Sequence, residues 1–290
     1  MQIGVVFPQT ELGGDAGALR AYAEGVEALG YRHLLVYDHV LGADPEAHAP
    51  WRGPYTIATT FHEPFVMFGY LAGFTGLELV TGIIILPQRQ TALVAKQATE
   101  VDLLTGGRFR LGVGLGWNAV EYEALGQPFE RRGRRLSEQI GVLRRLWTET
   151  AVTHEGEFDT ITAAGLAPAP VQRPIPVWIG GSSDAAYRRM GRLADGWFPQ
   201  VRPGEELDRA RAVIAAAAED AGRDPEVLGM EGRVGWLPDD PAKFERQVSR
   251  WRDAGATHLG INTMGAGLDG VDAHLAALAR AAEPAGVSPA

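Results

Sequence analysis

The feature that most constrains the fold of this chain is a regular alternation of short apolar segments with helical segments along its 290 residues. Eight of the apolar segments are rich in Val, Ile, Leu and Trp, and they predict strands covered on both faces, as in a parallel sheet. The predicted strands are 3–7, 34–37, 79–86, 109–115, 177–179, 196–199, 234–237 and 258–262.

The segments between these strands have the spacing of helices. Leu19, Tyr22, Val26 and Leu29 recur at intervals of three and four, and Gly30 follows as a typical C-terminal cap. The same spacing predicts further helices over 136–147, 244–251 and 271–282. Prolines at positions 64 and 241 suit the first turns of two more.

Eight strand–helix units predict an α/β fold, the (β/α)₈ TIM barrel with additional loops. A doubly wound sheet has about six strands and usually opens with a glycine-rich turn, whereas the first strand here ends in Phe7-Pro8-Gln9. Because no change of composition marks a boundary, we expect residues 1–290 to form one barrel domain.

The stretch "GVGLGWNAVE" (112–121) matches a dinucleotide-binding turn through Gly114, Gly116 and Ala119. A Rossmann turn also needs an acidic residue at the end of the next strand, about 20 residues on, and here that position falls in the helix around Glu138. We therefore interpret Gly114 and Gly116 as keeping strand four thin, so that a flat cofactor ring can lie against its backbone.

The bulk composition excludes several classes of partner. A net charge of −9 argues against nucleic acids and anionic membranes, and the absence of cysteine fits a reducing cytoplasm. We see no signal-peptide pattern and no apolar run of about 18 residues, so we expect a cytoplasmic protein with no membrane span. The arginines of 131–135 are either a solvated face paired with carboxylates or a phosphate site.

Active sites of such barrels lie at the carboxyl ends of the strands. A Schiff-base lysine is excluded because Lys96 and Lys243 fall in predicted helices. Asp38 is the only carboxylate predicted at a strand end and no His-x-His pair occurs, so neither a metal site nor a glycosidase carboxylate pair is expected. His39, beside Asp38, is the best acid/base candidate, and the chemistry is expected to come from a cofactor. The alternative is that His39 only hydrogen-bonds a loop.

The segment "PVWIGGSSDAA" (176–186) supplies a candidate anchor for that cofactor. Gly180, Gly181, Ser182 and Ser183 close a strand and open a helix, where backbone N–H groups and hydroxyls suit a phosphate. The alternative is an ordinary helix N-cap formed by Ser182 or Ser183.

With these motifs the chain resembles the bacterial luciferase-like superfamily of flavin and deazaflavin oxidoreductases over nearly its whole length. The resemblance runs through "VYDHV" (36–40), the long central block 81–126, "PVWIGGSS" (176–183) and "LADGWFP" (193–199). It implies a (β/α)₈ barrel, a homodimer, and either coenzyme F420 or FMN as cofactor.

In the F420-dependent branch an Asp-His pair ends strand two, and Asp38 and His39 match it. The resemblance implies that His39 donates or accepts a proton beside the deazaflavin ring and that Asp38 positions the ring or the imidazole. The branch often has a non-proline cis peptide behind the ring, and Gly82-Ile83 is the matching position, which we expect to be cis.

One departure from the branch concerns its sugar-phosphate dehydrogenases, which carry a glutamate acid where this chain has Trp117. A tryptophan favours an apolar or aromatic substrate, or reduction of an activated double bond. We expect Trp117, Trp51, Tyr55 and Trp236 to contact the substrate. The loop 48–64 either lies over the barrel mouth and shapes specificity or packs as a rigid cover.

The function predicted from the sequence is hydride transfer between F420 and a small organic substrate. An FMN-dependent monooxygenase that uses O₂ is the first alternative. A barrel that binds cofactor without catalysis is the second.

Overall fold

The computed structural model describes residues 1–288, and its parallel strands close into one barrel. The strands are β1 (Gln2–Val6), β2 (His33–Val36), β3 (Glu78–Thr81), β4 (Ile84–Ile85), β5 (Phe109–Gly114), β6 (Val152–Glu155), β7 (Thr160–Ala164), β8 (Val177–Gly180), β9 (Gly196–Phe198), β10 (Gly229–Gly235) and β11 (His258–Asn262). The helices are α1 (Ala16–Ala28), α2 (Pro64–Leu71), α3 (Thr91–Thr105), α4 (Ala119–Ala124), α5 (Arg132–Thr148), α6 (Asp184–Leu193), α7 (Glu205–Glu219), α8 (Pro241–Asp253) and α9 (Gly270–Ala285).

The barrel has eight strand positions. Neighbouring strands pair in the order β3-β2-β1-β11-β10-β9-β8-β5, and pairing of β3 with β5 closes the ring. β4 also pairs with β5, so β3 and β4 are two halves of the third position, separated by Gly82 and Ile83. The predicted (β/α)₈ fold is therefore confirmed.

Besides the break between β3 and β4, the strand β10 and the hairpin β6–β7 differ from the sequence prediction. β10 begins at Gly229, five residues before the predicted 234–237. The prediction missed the first part of the strand because Gly229, Glu231 and Gly232 interrupt its apolar run. The two glycines are needed there, since a Cβ at Gly229 would collide with Trp178 and one at Gly232 with Trp251. The antiparallel hairpin β6–β7 lies outside the barrel and was not predicted, because most of its residues are exposed.

The structure contains the helices that the sequence predicted from apolar spacing and proline positions. α1 buries Leu19, Tyr22 and Val26, and Gly30 follows it with a φ of 91°. Pro64 and Pro241 lie in the first turns of α2 and α8. Within residues 1–288 no helix combines the length and apolarity needed to cross a bilayer.

Of the four arginines of 131–135, Arg131 and Arg134 are exposed, whereas Arg132 and Arg135 are half-buried. Arg131 and Arg134 both pair with Glu157, which follows β6, and Arg135 donates to Gln127. The alternative of a solvated face paired with carboxylates therefore describes Arg131 and Arg134, whereas Arg132 donates to the Phe129 carbonyl.

A buried ionic cluster closes the amino-terminal end of the barrel. Arg110 Nη1 lies 2.7 Å from Glu231, whose other oxygen lies 3.0 Å from His33 Nε2. Burial raises the pKa of Glu231, but His33 and Arg110 outweigh it and bring the pKa to about 2. Burial and the nearby Arg110 lower the pKa of His258 to about 4. Removing one partner of such a cluster strongly lowers the stability of the folded state, because the other charge is left buried without a partner.

Candidate functional site

The turns after β2 and β5 bring His39 and its surroundings together at the carboxyl end of the barrel. The imidazole is only 10% exposed, and its Nδ1 lies 3.2 Å from Glu121 Oε2. Three aromatic rings surround it, with centroids 5.2 Å (Tyr55), 4.9 Å (Phe61) and 5.5 Å (Trp117) away. Aromatic side chains therefore form much of the surroundings of the imidazole.

Glu121 is the residue of this site that sequence reasoning missed. It is fully buried, and it accepts hydrogen bonds from His39, from the amides of Val40 and Leu41, and from Gln88 Nε2. Burial raises the pKa of Glu121, but the hydrogen bonds, led by that of His39, outweigh burial, and the pKa is lowered overall. The residue is therefore a buried carboxylate.

A search of strand ends alone could not find Glu121, because it lies inside α4. The signal was its position three residues after Asn118, the spacing of a capping box. Asn118 does cap α4, accepting from the Val120 amide at 3.2 Å. Glu121 turns instead to the loop that follows β2, so the pattern marked the helix start but not this contact.

Asp38 is engaged elsewhere. Its Oδ1 accepts from Arg89 Nη2 at 2.8 Å, and its Oδ2 accepts from the Ile85 amide at 3.1 Å. Burial raises the pKa of Asp38, opposed in part by Arg89 and by the Ile85 amide. The expectation that Asp38 positions the imidazole is wrong, because Glu121 makes that contact and Asp38 binds Arg89 and the Ile85 amide. That Asp38 positions the cofactor ring stays a prediction.

Arg89 links this site to the start of α2. Its Nη1 lies 2.8 Å from Glu63, the N-cap residue of α2, which also accepts from the Val66 amide. The loop 40–62 is therefore tied at its first residues by Glu121 and at its exit by Arg89.

A cavity of about 290 Å³ lies against His39 and is lined mostly by residues of this loop. Its walls combine aromatic and aliphatic side chains with the hydroxyls of Thr56 and Thr59 and the amide of Asn118. Apart from His39, the lining contains no Asp, Glu, His, Lys or Arg side chain among the described residues.

The structure brings three of the four predicted substrate residues together. The Trp51 and Trp117 rings lie 5.7 Å apart, and Tyr55 lies 6.4 Å from Trp117. Trp236 is placed elsewhere: its ring packs 5.1 Å from Phe244 of α8 and beneath Arg280 of α9, on the helix side of the barrel wall.

The Gly82-Ile83 peptide is cis, as expected. The interpretation of Gly114 and Gly116 as bare backbone for a ring needs correction. A Cβ at Gly114 would lie 2.7 Å from Ile83, and one at Gly116 would lie 2.7 Å from Ile85. These glycines instead make room for the side chains of the neighbouring third strand, and Gly116 also takes a φ of 63°.

The segment 180–183 has features of both a helix N-cap and a phosphate site. Ser183 caps α6, since its Oγ accepts from the Ala186 amide at 3.2 Å. Ser182 and Ser183 are exposed, and within residues 1–288 their own amides donate to no protein group. Free amides at the start of a ten-residue helix suit an anion.

An apolar floor lies between this segment and His39. Buried Val6, Leu35, Val80, Trp178 and Phe198 fill the barrel interior, and the half-buried side chains of Tyr37, Ile83 and Met264 pack on them. A half-exposed apolar floor beside free amides fits a flat cofactor ring with a phosphate arm. Within the described residues, no three His, Cys, Asp or Glu side chains are placed to hold a metal ion.

Comparison with known proteins decides the family. The family model described as luciferase-like monooxygenase matches residues 1–235. The chain belongs to the luciferase-like monooxygenase family. An uncharacterized protein of Mycobacterium tuberculosis is 37% identical over 224 residues, which are 72% of this chain and 76% of that protein.

Two further relatives of the family have names that state a cofactor. An F420-dependent hydroxymycolic acid dehydrogenase of M. tuberculosis is 28% identical, over 86% of this chain and 66% of its own. An FMNH₂-dependent dimethylsulfone monooxygenase of Pseudomonas putida is 35% identical, over 50% of this chain and 42% of its own. Among solved structures, an F420-dependent secondary alcohol dehydrogenase superposes with a TM-score of 0.78 at 17% identity, over 98% of both chains.

Proposed function

We propose that this luciferase-like protein is an oxidoreductase that transfers hydride between coenzyme F420 and a small uncharged organic substrate. The observation that carries the proposal is His39: a buried carboxylate holds its Nδ1, and its ring borders a cavity at the carboxyl end of the barrel. A histidine so placed is suited to move a proton to or from a bound molecule.

The chain's own residues divide the work of such a reaction. Tyr37, Ile83 and Met264 would support the cofactor ring, and the amides of Ser182 and Ser183 would bind its phosphate. The deazaflavin, when bound, supplies the carbon that accepts or donates hydride. In the oxidation of an alcohol, His39 accepts the hydroxyl proton as hydride leaves the substrate carbon; in reduction the same proton returns.

The lining of the cavity favours an uncharged substrate. Its aromatic and aliphatic walls favour an apolar body, and the hydroxyls of Thr56 and Thr59 offer hydrogen bonds to a carbonyl or hydroxyl. A charged substrate would have to lose its hydration without an opposite charge, which is costly.

An FMN-dependent monooxygenase is the second candidate, and the Pseudomonas putida relative favours it. The cofactor decides between the two reaction classes, because reduced FMN activates oxygen whereas a deazaflavin, with carbon in place of N5, does so poorly.

The deciding experiment is a titration of the purified protein with F420 and, separately, with FMN. Quenching of tryptophan fluorescence reports binding, since Trp178 and Trp117 lie near the proposed ring site. We expect saturable binding of F420 with micromolar or lower Kd and much weaker binding of FMN. Tight FMN binding without F420 binding would overturn the proposal.

A further inference from the structure

The contacts of Glu121 assign the proton on the His39 ring. An ionised carboxylate can only accept hydrogen bonds, so at 3.2 Å from Glu121 Oε2 the Nδ1 atom of His39 must carry the hydrogen. The hydrogen bond at one ring nitrogen fixes the protonation of the other. In the neutral ring, therefore, Nε2 has the lone pair.

We propose that Glu121 is a positioning residue that holds His39 in the Nδ1–H tautomer, so that Nε2 serves as the proton acceptor facing the cavity. The inference rests on the proposed function, in which His39 moves the proton. It assigns to Glu121 a role that acts through His39, without contact with the substrate. When Nε2 takes a proton, the same carboxylate stabilises the imidazolium.

The two oxygens of Glu121 have separate duties. Oε1 accepts from the amides of Val40 and Leu41, and Oε2 accepts from His39 and Gln88. One side of the carboxylate therefore holds the loop after β2, and the other side holds the imidazole.

This division makes Glu121→Gln a specific test. A glutamine has one oxygen, and it is best kept on the two buried amides, which would otherwise face an NH₂ group. The NH₂ group then replaces Oε2 and donates to Nδ1 of His39. Gln88 can adapt, because its buried Oε1 has no partner among the described residues and an amide flip turns it toward the new donor. The loop stays in place and the His39 tautomer is reversed.

The primary measurement is the tautomer of His39 in the full-length protein. Long-range ¹H–¹⁵N spectra of ¹⁵N-histidine-labelled protein distinguish the two ring nitrogens, and the signals missing in His39→Gln identify the residue among the seven histidines. We expect Nδ1–H in the wild type and Nε2–H in Glu121→Gln, with Nδ1–H retained in Glu123→Gln. Glu123 is the matched control because it is exposed on the same helix.

The kinetic expectation follows from the tautomer. With F420 and a turned-over substrate, Glu121→Gln should lower kcat by about 10²-fold or more, the scale of a lost general base, with KM changed by less than about threefold. In the His39→Gln background the Glu121→Gln change should have little further effect, because both act through one group.

Each outcome bears on the proposal. An Nε2–H tautomer in the wild type, or Nδ1–H retained in a folded Glu121→Gln, would overturn it; the wild-type spectrum decides even if the variant does not fold. A full additional loss of kcat in the His39→Gln background would also overturn it. If His39→Gln leaves turnover unchanged, the acid/base function fails while the tautomer assignment stands on its own spectrum.

Discussion

At the scale of single residues, the site depends on two buried carboxylates that serve different partners. Glu121 accepts from the His39 imidazole, whereas Asp38, which precedes that histidine in the chain, binds Arg89. The two neighbours in the sequence therefore bind different partners. A three-dimensional neighbour from α4 supplies the carboxylate instead.

The first prediction concerns His39 itself. Replacing it with glutamine removes the proton acceptor at the cavity, so kcat should fall by about 10²- to 10⁴-fold. Binding of F420, followed by tryptophan quenching, should change little, because the apolar floor and the amides of 182–183 remain. His48→Gln, an exposed position in the same loop, is the control. Unchanged turnover in His39→Gln would show that His39 is not the proton acceptor of the reaction.

At the scale of elements, the start of α6 combines a structural cap with a proposed anion site. Ser183 uses its hydroxyl as the N-cap, whereas the Ser182 hydroxyl bonds to no other described residue. The helix cap therefore depends on Ser183, whereas the Ser182 hydroxyl is available to an anion.

The second prediction follows from that separation. Ser183→Ala should lower the free energy of unfolding by about 1 kcal/mol, the usual value of an N-cap, and Ser182→Ala should change it by less than about 0.5 kcal/mol. If the Ser182 hydroxyl binds the cofactor phosphate, Ser182→Ala should weaken F420 binding by about tenfold. Urea unfolding and cofactor titration measure the two quantities. Unchanged F420 affinity in Ser182→Ala would remove that hydroxyl from the phosphate site.

The sequence predicted elements well where burial on both faces produced an unbroken apolar run, as at 109–115 and 258–262. It failed where a strand carries buried polar groups, because Glu231 and its neighbouring glycines in β10 do not form such a run. It also failed for Glu121. The contact with His39 spans 82 positions of the chain, and local spacing contains no information about it.

At the scale of the whole molecule, the proposed chemistry and the buried ionic cluster lie at opposite ends of the barrel. His33, Glu78 and His258 are the first residues of their strands, whereas His39 follows the end of one. Such barrels commonly separate stability from function in this way. Changes in the cluster should therefore affect unfolding more than turnover.

The third prediction is a dependence of stability on pH that originates in this cluster. Burial lowers the pKa of His258 from about 6.5 in the unfolded chain to about 4 in the folded state, so between these values the unfolded chain binds more protons. The folded state should therefore lose stability as the pH falls from about 6.5 to about 4. Glu231 should contribute a further loss between about 4.5 and about 2, because its folded pKa is also depressed.

The measurement is urea unfolding at a series of pH values for the wild type and for His258→Asn. The variant should show a flatter dependence between pH 6.5 and 4, and His48→Asn, exposed in the loop, should keep the wild-type slope. An equal slope in His258→Asn would contradict the assignment to this residue.

The loop 40–62, held at its first residues by Glu121 and at its exit by Arg89 and Glu63, has a consequence for how the family diversifies. Because both attachments and Tyr55 lie outside residues 44–54, that segment can be exchanged for one from a relative while the Glu121 contact and the Tyr55 ring remain against His39. The middle of the loop can then vary between relatives independently of the residues that hold His39. On the proposed function, exchange of that segment would change the substrate range while the contact between Glu121 and His39 is kept.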